Sequence, residues 1–99
     1  MHIWVFYDIS NNKLRLRISR LCKQVGLLRV QKSVFCGKLP TKRAFRELRE
    51  TLRKDIAAPD CVYVQRVGKA QLEKSASYGA PLPKATLTPK FIAFCFEKA

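Results

Sequence analysis

Acidic side chains are scarce in this chain. Only 7 Asp+Glu stand against 20 Lys+Arg, which leaves a net charge of +13 over 99 residues. A compact domain with that imbalance repels itself unless a polyanion compensates, and nucleic acid is the default polyanion. Histidine is nearly missing, with His2 standing alone. Cys22, Cys36, Cys61 and Cys95 are scattered with no C-x-x-C pair, which excludes the usual structural zinc spacings. Each lies in an apolar segment, so all are expected reduced, buried and inert. No apolar run approaches bilayer-spanning length, and Met1-His2-Ile3 carries no basic stretch, so a cytoplasmic protein without membrane contact is expected. Repeats, low-complexity tracts and a domain boundary are also lacking. One small domain follows.

What the chain does have is organised around Ile3-Trp4-Val5-Phe6-Tyr7-Asp8-Ile9-Ser10. The run is short, β-branched and aromatic, which predicts a strand. Alternation puts Trp4, Phe6 and Asp8 on one sheet face and Ile3, Val5 and Tyr7 on the other. A carboxylate closing such a strand either caps the next turn or stands where chemistry is placed.

A helix is predicted over residues 11–25, with N-cap chemistry in Ser10 to Asn12 and Gly26 as its left-handed stop. Leu14, Ile18, Leu21, Cys22 and Val25 form its apolar stripe. The remaining surface carries Lys13, Arg15, Arg17, Arg20 and Lys23 with no acid among them, a pattern suited to phosphate rather than to internal salt bridges. Residues 27–36 read as strand, with a slip in alternation near Ser33-Val34-Phe35 that predicts two short strands. Gly37 to Pro40 read as a turn.

A second helix, capped by Thr41, should run to about residue 57. Ala44, Phe45, Leu48, Leu52 and Ile56 make its core stripe, beside a basic stripe of Lys42, Arg46, Arg49 and Arg53. Two readings of that basic stripe stand together. It contacts phosphate, or it is a solvated face balanced by Arg43–Glu47, Arg46–Glu50 and Glu50–Lys54. Residues 61–67 form the next strand, 68–90 a linker with one helical turn near 70–74, and 91–99 a last apolar strand.

The order βαββαβ predicts an α+β, ferredoxin-like sandwich, with residues 1–67 as its core and an extra C-terminal strand. Its helices cover one sheet face and leave Trp4 and Phe6 on the other, so a two-fold homodimer is expected to bury that face and the last strand. Two Asp8 carboxylates near such an axis could share Mg²⁺, which suits phosphodiester hydrolysis.

Tyr7-Asp8-Ile9-Ser10, then Arg15 and Arg17, then Arg29-Val30-Gln31-Lys32-Ser33-Val34-Phe35 resemble the CRISPR-associated protein 2 family in order and spacing. The resemblance covers residues 3–67. It departs at Asn11 and Asn12, where the family often has an acid, and this leaves Asp8 without a neighbouring ligand. The resemblance implies a homodimer that bridges integrase subunits during spacer acquisition and holds duplex prespacer DNA on its basic surface. It also implies a metal-dependent endonuclease on RNA or DNA, with Asp8 as catalytic metal ligand. Around Asp8 it would place Tyr7, Ser10, Arg15, Arg17, Arg29, Ser33 and Phe35 as phosphate-binding or site-forming groups. The alternatives are a toxin-type ribonuclease of the virulence-associated protein D kind and a purely structural nucleic-acid-binding dimer. An RNA-recognition motif is rejected, because residues 30–38 lack its exposed-aromatic strand.

Overall fold

The computed structural model describes residues 1–76 together with residues 78 and 79. The elements are β1 (His2–Asp8), α1 (Asn12–Gln24), β2 (Leu28–Gln31), β3 (Val34–Lys38), α2 (Lys42–Asp55), β4 (Cys61–Val67) and α3 (Lys69–Glu73). The strands lie in the order β2-β3-β1-β4, with antiparallel neighbours throughout. This is the expected ferredoxin-like arrangement. The expected strand over 91–99 and most of the 68–90 linker lie outside the described residues.

β1 is central and settles the two faces. Ile3, Val5 and Tyr7 are buried beneath α1 and α2, in one cluster with Ile18, Cys22, Phe35, Leu48 and Leu52. Both helices begin as their sequences predict. The Asn11 side chain accepts from the Leu14 N–H at 2.9 Å, and the Thr41 hydroxyl accepts from the Ala44 N–H at 3.1 Å. Gly26, with φ of +95°, closes α1, and the Leu27 N–H returns to the Cys22 carbonyl at 3.0 Å.

The slip in alternation resolves into a two-residue turn at Lys32-Ser33 and a register shift between Arg29 and Gln31. Gly37 and Lys38, expected in a turn, instead extend β3. A Cβ on Gly37 would lie 3.1 Å from Leu27 Cδ2 and 3.3 Å from its Cα, so glycine there lets Leu27 cross the strand closely. α2 stops at Asp55, because Ile56 turns extended and packs against the core.

The opposite sheet face is only half open. α3, at the start of the stretch read as a linker, lays Leu72 fully buried on Cys36, beside Trp4, Val30 and Val67. Phe6 and Tyr63 remain exposed on that face, with ring centroids 6.0 Å apart. Burial was expected for every cysteine. Cys22 and Cys36 are indeed enclosed, and burial pushes their thiols up to about 11 and about 12. Cys61 is exposed, since it opens an edge strand and faces the uncovered side. Cys95 lies outside the described residues.

Candidate functional site

The carboxyl end of β1 carries two consecutive residues with opposite surroundings. Tyr7 points into the helix-covered face and is 6% exposed, whereas Asp8 is exposed on the open face, paired in register with Cys61. Among the described residues the Asp8 carboxylate enters no hydrogen bond or ion pair. The other described acids are all engaged: Asp55 with Arg17, Glu47 with Arg43, Glu50 with Arg53, Asp60 with Ser10, and Glu73 in an interaction of its own. On a chain of net charge +13, an unpaired carboxylate at a strand end is conspicuous.

Behind Tyr7, on the helix side, lies a cavity of about 530 Å³. α1 lines it with Arg15 and Ser19, and the β2–β3 hairpin lines it with Arg29, Lys32 and Ser33. Arg29 donates to the Ser19 hydroxyl at 2.8 Å, and its guanidinium sits 5.4 Å from the centre of the Phe35 ring. Phe35 in turn stacks with Tyr7 at 6.2 Å. The Tyr7 N–H donates to the Ser33 carbonyl at 3.0 Å, which fixes the hairpin tip against β1. Arg15 hydrogen-bonds the Asn12 side chain and reaches the Ile9 carbonyl at 3.5 Å. The Tyr7 hydroxyl is buried and has no hydrogen-bond partner. A hydroxyl left so costs about 1–3 kcal/mol.

The residues predicted to surround Asp8 therefore divide. Tyr7, Arg15, Arg29 and Ser33 line one cavity, with Phe35 beneath it as core, and Asp8 is not part of its wall. Ser10 goes elsewhere, because its N–H and hydroxyl both donate to Asp60, at 3.1 and 3.2 Å. Asp60 is not among the residues that the sequence pattern singles out. The β1–β4 register, with Asp8 opposite Cys61, would have found it, since it brings Asp60 beside the turn that leaves β1.

The basic surface is also uneven. Arg17 meets Asp55 of α2 at 3.4 Å, a half-exposed pair of small worth. Arg20, Lys42 and Arg46 are exposed. Arg49 and Arg66 both lie over Phe45, with guanidinium carbons 5.3 and 5.8 Å from the ring centre. Glu50 binds Arg53 at 2.7 Å, which holds its carboxyl below the usual carboxylate range. So Arg53 is partly neutralised within α2, and Arg17 from outside α1.

Mg²⁺ takes oxygen ligands, commonly one or two carboxylates completed by water and phosphate oxygens. Among the described residues no three His, Cys, Asp or Glu side chains gather as a metal cluster, and the nearest register partner of Asp8 is a thiol. One chain thus fits Mg²⁺ with a single hard ligand, and a second must come from elsewhere. Among the described residues no helix is long and apolar enough to cross a membrane.

The same architecture occurs in known proteins. A crystal structure of Streptococcus pyogenes Cas2 superposes with a TM-score of 0.67 at 26% identity, over 80% of this chain and all of that one. A CRISPR-associated endoribonuclease Cas2 of Korarchaeum cryptofilum is 36% identical over 59 residues, 60% of this chain and 62% of that protein. An endonuclease Cas1/endonuclease Cas2 fusion of Thermoproteus tenax is 29% identical over 76 residues. The match takes in 76% of this chain and 28% of the fusion. The chain thus spans less than two thirds of the length of these two relatives. The family model for CRISPR associated protein Cas2 matches residues 1–75, which hold the central strand, its terminal carboxylate and the basic cavity behind it. The chain belongs to the Cas2 family.

Proposed function

We propose that this protein is a nucleic-acid-binding subunit of CRISPR spacer acquisition that also cleaves phosphodiesters at Asp8. The observation that carries the reading is the unpaired Asp8 carboxylate at the open end of β1, on a chain whose other described acids are all engaged. A carboxylate left free among so many cations is suited to a cation that arrives with the substrate.

In this reading the metal is Mg²⁺, which Asp8 would hold together with a second Asp8 from a homodimer partner. When bound, the ion supplies an activated water and neutralises developing charge on phosphate oxygen. The chain's own part is positional. Arg15 and Arg29 stand on the helix side of the strand end and hold a phosphate other than the one at Asp8, which acts from the open side. Exposed Arg20, Lys42, Arg46 and Arg49 extend a sequence-independent track for duplex DNA or single-stranded RNA. Exposed Phe6 and Tyr63 offer an apolar strip to a second copy. The fusion of Cas1 to Cas2 in one relative supports a Cas1-type integrase as the further partner.

The test is cleavage of labelled RNA and DNA with Mg²⁺ by wild type and Asp8→Ala, with duplex binding followed in the same samples. Cleavage should fall at least about a hundredfold, the scale of losing a catalytic electrostatic group, while binding persists. Equal cleavage by both proteins would remove the nuclease part. Binding without cleavage by either would leave a structural adaptor.

A further inference from the structure

We infer that the cavity behind Tyr7 is a subsite for the terminal phosphomonoester of a nucleic-acid strand, separate from Asp8. The inference rests on the nucleic-acid reading above and deepens it by naming which phosphate is held there. Three cationic side chains, Arg15, Arg29 and Lys32, line the cavity, and the described lining contains no carboxylate. Ser19 and Ser33 add hydroxyls. The decisive group is Tyr7. Its side chain is nine-tenths buried, lines the cavity, and ends in a hydroxyl without a partner among the described residues. Buried donors are nearly always matched, so an orphan beside three cations marks a place where an acceptor is supplied from outside.

The acceptor is terminal rather than internal for a steric reason. Tyr7 lies on the sheet floor, and α1 and the β2–β3 hairpin form the walls. A volume of about 530 Å³ is that of a small-ligand site. An internal phosphodiester could approach Tyr7 only by drawing both flanking nucleosides between those walls. A chain end brings one nucleoside and a doubly charged group, which matches three cations better than a single negative charge does. Arg29 is already braced by Ser19 and Phe35, so its fork is pre-organised for the ligand.

The test titrates the full chain with a short oligonucleotide carrying a 5′-phosphate, a 3′-phosphate or neither, and separately with inorganic phosphate by thermal shift. Wild type should bind one phosphorylated end roughly tenfold more tightly than the hydroxyl-ended strand, the usual scale of one well-matched charged contact. Tyr7→Phe, which keeps the ring and its stacking, should shrink that preference to about twofold, and Lys32→Ala at the exposed rim should shrink it similarly. Inorganic phosphate should raise the melting temperature of wild type more than that of Tyr7→Phe. Equal affinity for all three strands, with Tyr7→Phe weakening each alike, would assign the cavity to backbone phosphodiesters and overturn the inference. A preference untouched by both substitutions would overturn it too. If no strand binds, the nucleic-acid reading fails. The subsite then loses its ligand class, and any phosphate-dependent stabilisation reports only a free-anion site.

Discussion

The two faces of one strand divide the labour of this molecule. On the covered face Ile3, Val5 and Tyr7 are closed off by two helices, while on the other Phe6 and Asp8 meet solvent and Trp4 is half sheltered by α3. A change of one position along β1 thus exchanges packing for chemistry. The contrast shows why Tyr7 and Asp8, adjacent in the chain, cannot serve the same cavity.

The sharpest way to break the comparison is to truncate one aromatic on each face. Phe35→Ala removes a ring with no exposed surface, and unfolding by urea should show a loss of about 3–5 kcal/mol. Phe6→Ala on the open face should cost less than about 1 kcal/mol in the separated protomer, at protein concentrations too low for a second copy to cover it. Similar losses at both sites would mean the faces are equally buried in solution.

Leu72→Ala tests the covered half of the open face. Leu72 is fully buried, so its truncation should cost about 2–3 kcal/mol by the same measurement. A negligible loss would detach α3 from the sheet.

A third test uses pH. Burial raises the Cys36 thiol from 9.0 to about 12 and Cys22 to about 11. The unfolded chain therefore releases these protons first. Their contribution is intact below about pH 9 and is lost as pH climbs toward 11–12. Urea midpoints should fall across that window, and Cys36→Ala should flatten the fall. An unchanged slope would place the loss on other titrating groups.

The smallest effect is expected at Asp55. Asp55→Asn removes the partner of Arg17 and should change stability by under about 0.5 kcal/mol, since the arginine is largely exposed. Nucleic-acid affinity should rise slightly at low salt as that cation is freed. A fall in affinity would show that Asp55 positions Arg17 rather than masking it.

Much of this was readable in advance because it depends on local period. Alternation over β1 fixed which residues face the helices, and the stripes of α1 and α2 named Ile18, Cys22, Leu48 and Leu52 as core. Thr41 announced the start of α2, and the Ser10–Asn12 run that of α1, within which Asn11 is the cap. What escaped depends on long-range register. Asp60 acquires its meaning only when Ser10, fifty residues away, is brought to it. Arg29 and Ser33 were grouped with Asp8 by motif, but the hairpin carries them to the other side of the sheet's end. Cys61 has apolar sequence neighbours, yet the edge position of β4 exposes it.

α3 has one further consequence. It follows β4 at the end that pairs with His2, and its Leu72 sits over Trp4 and Cys36, so it blocks the open face at the end remote from Asp8. Among the described residues the uncovered strip is consequently closed at one end. A rigid partner sliding along the strands is stopped midway and held toward the carboxylate, whereas one crossing the strands over Phe6 and Tyr63 meets no obstacle from α3. A helix of five residues thereby gives the open sheet surface a front and a back.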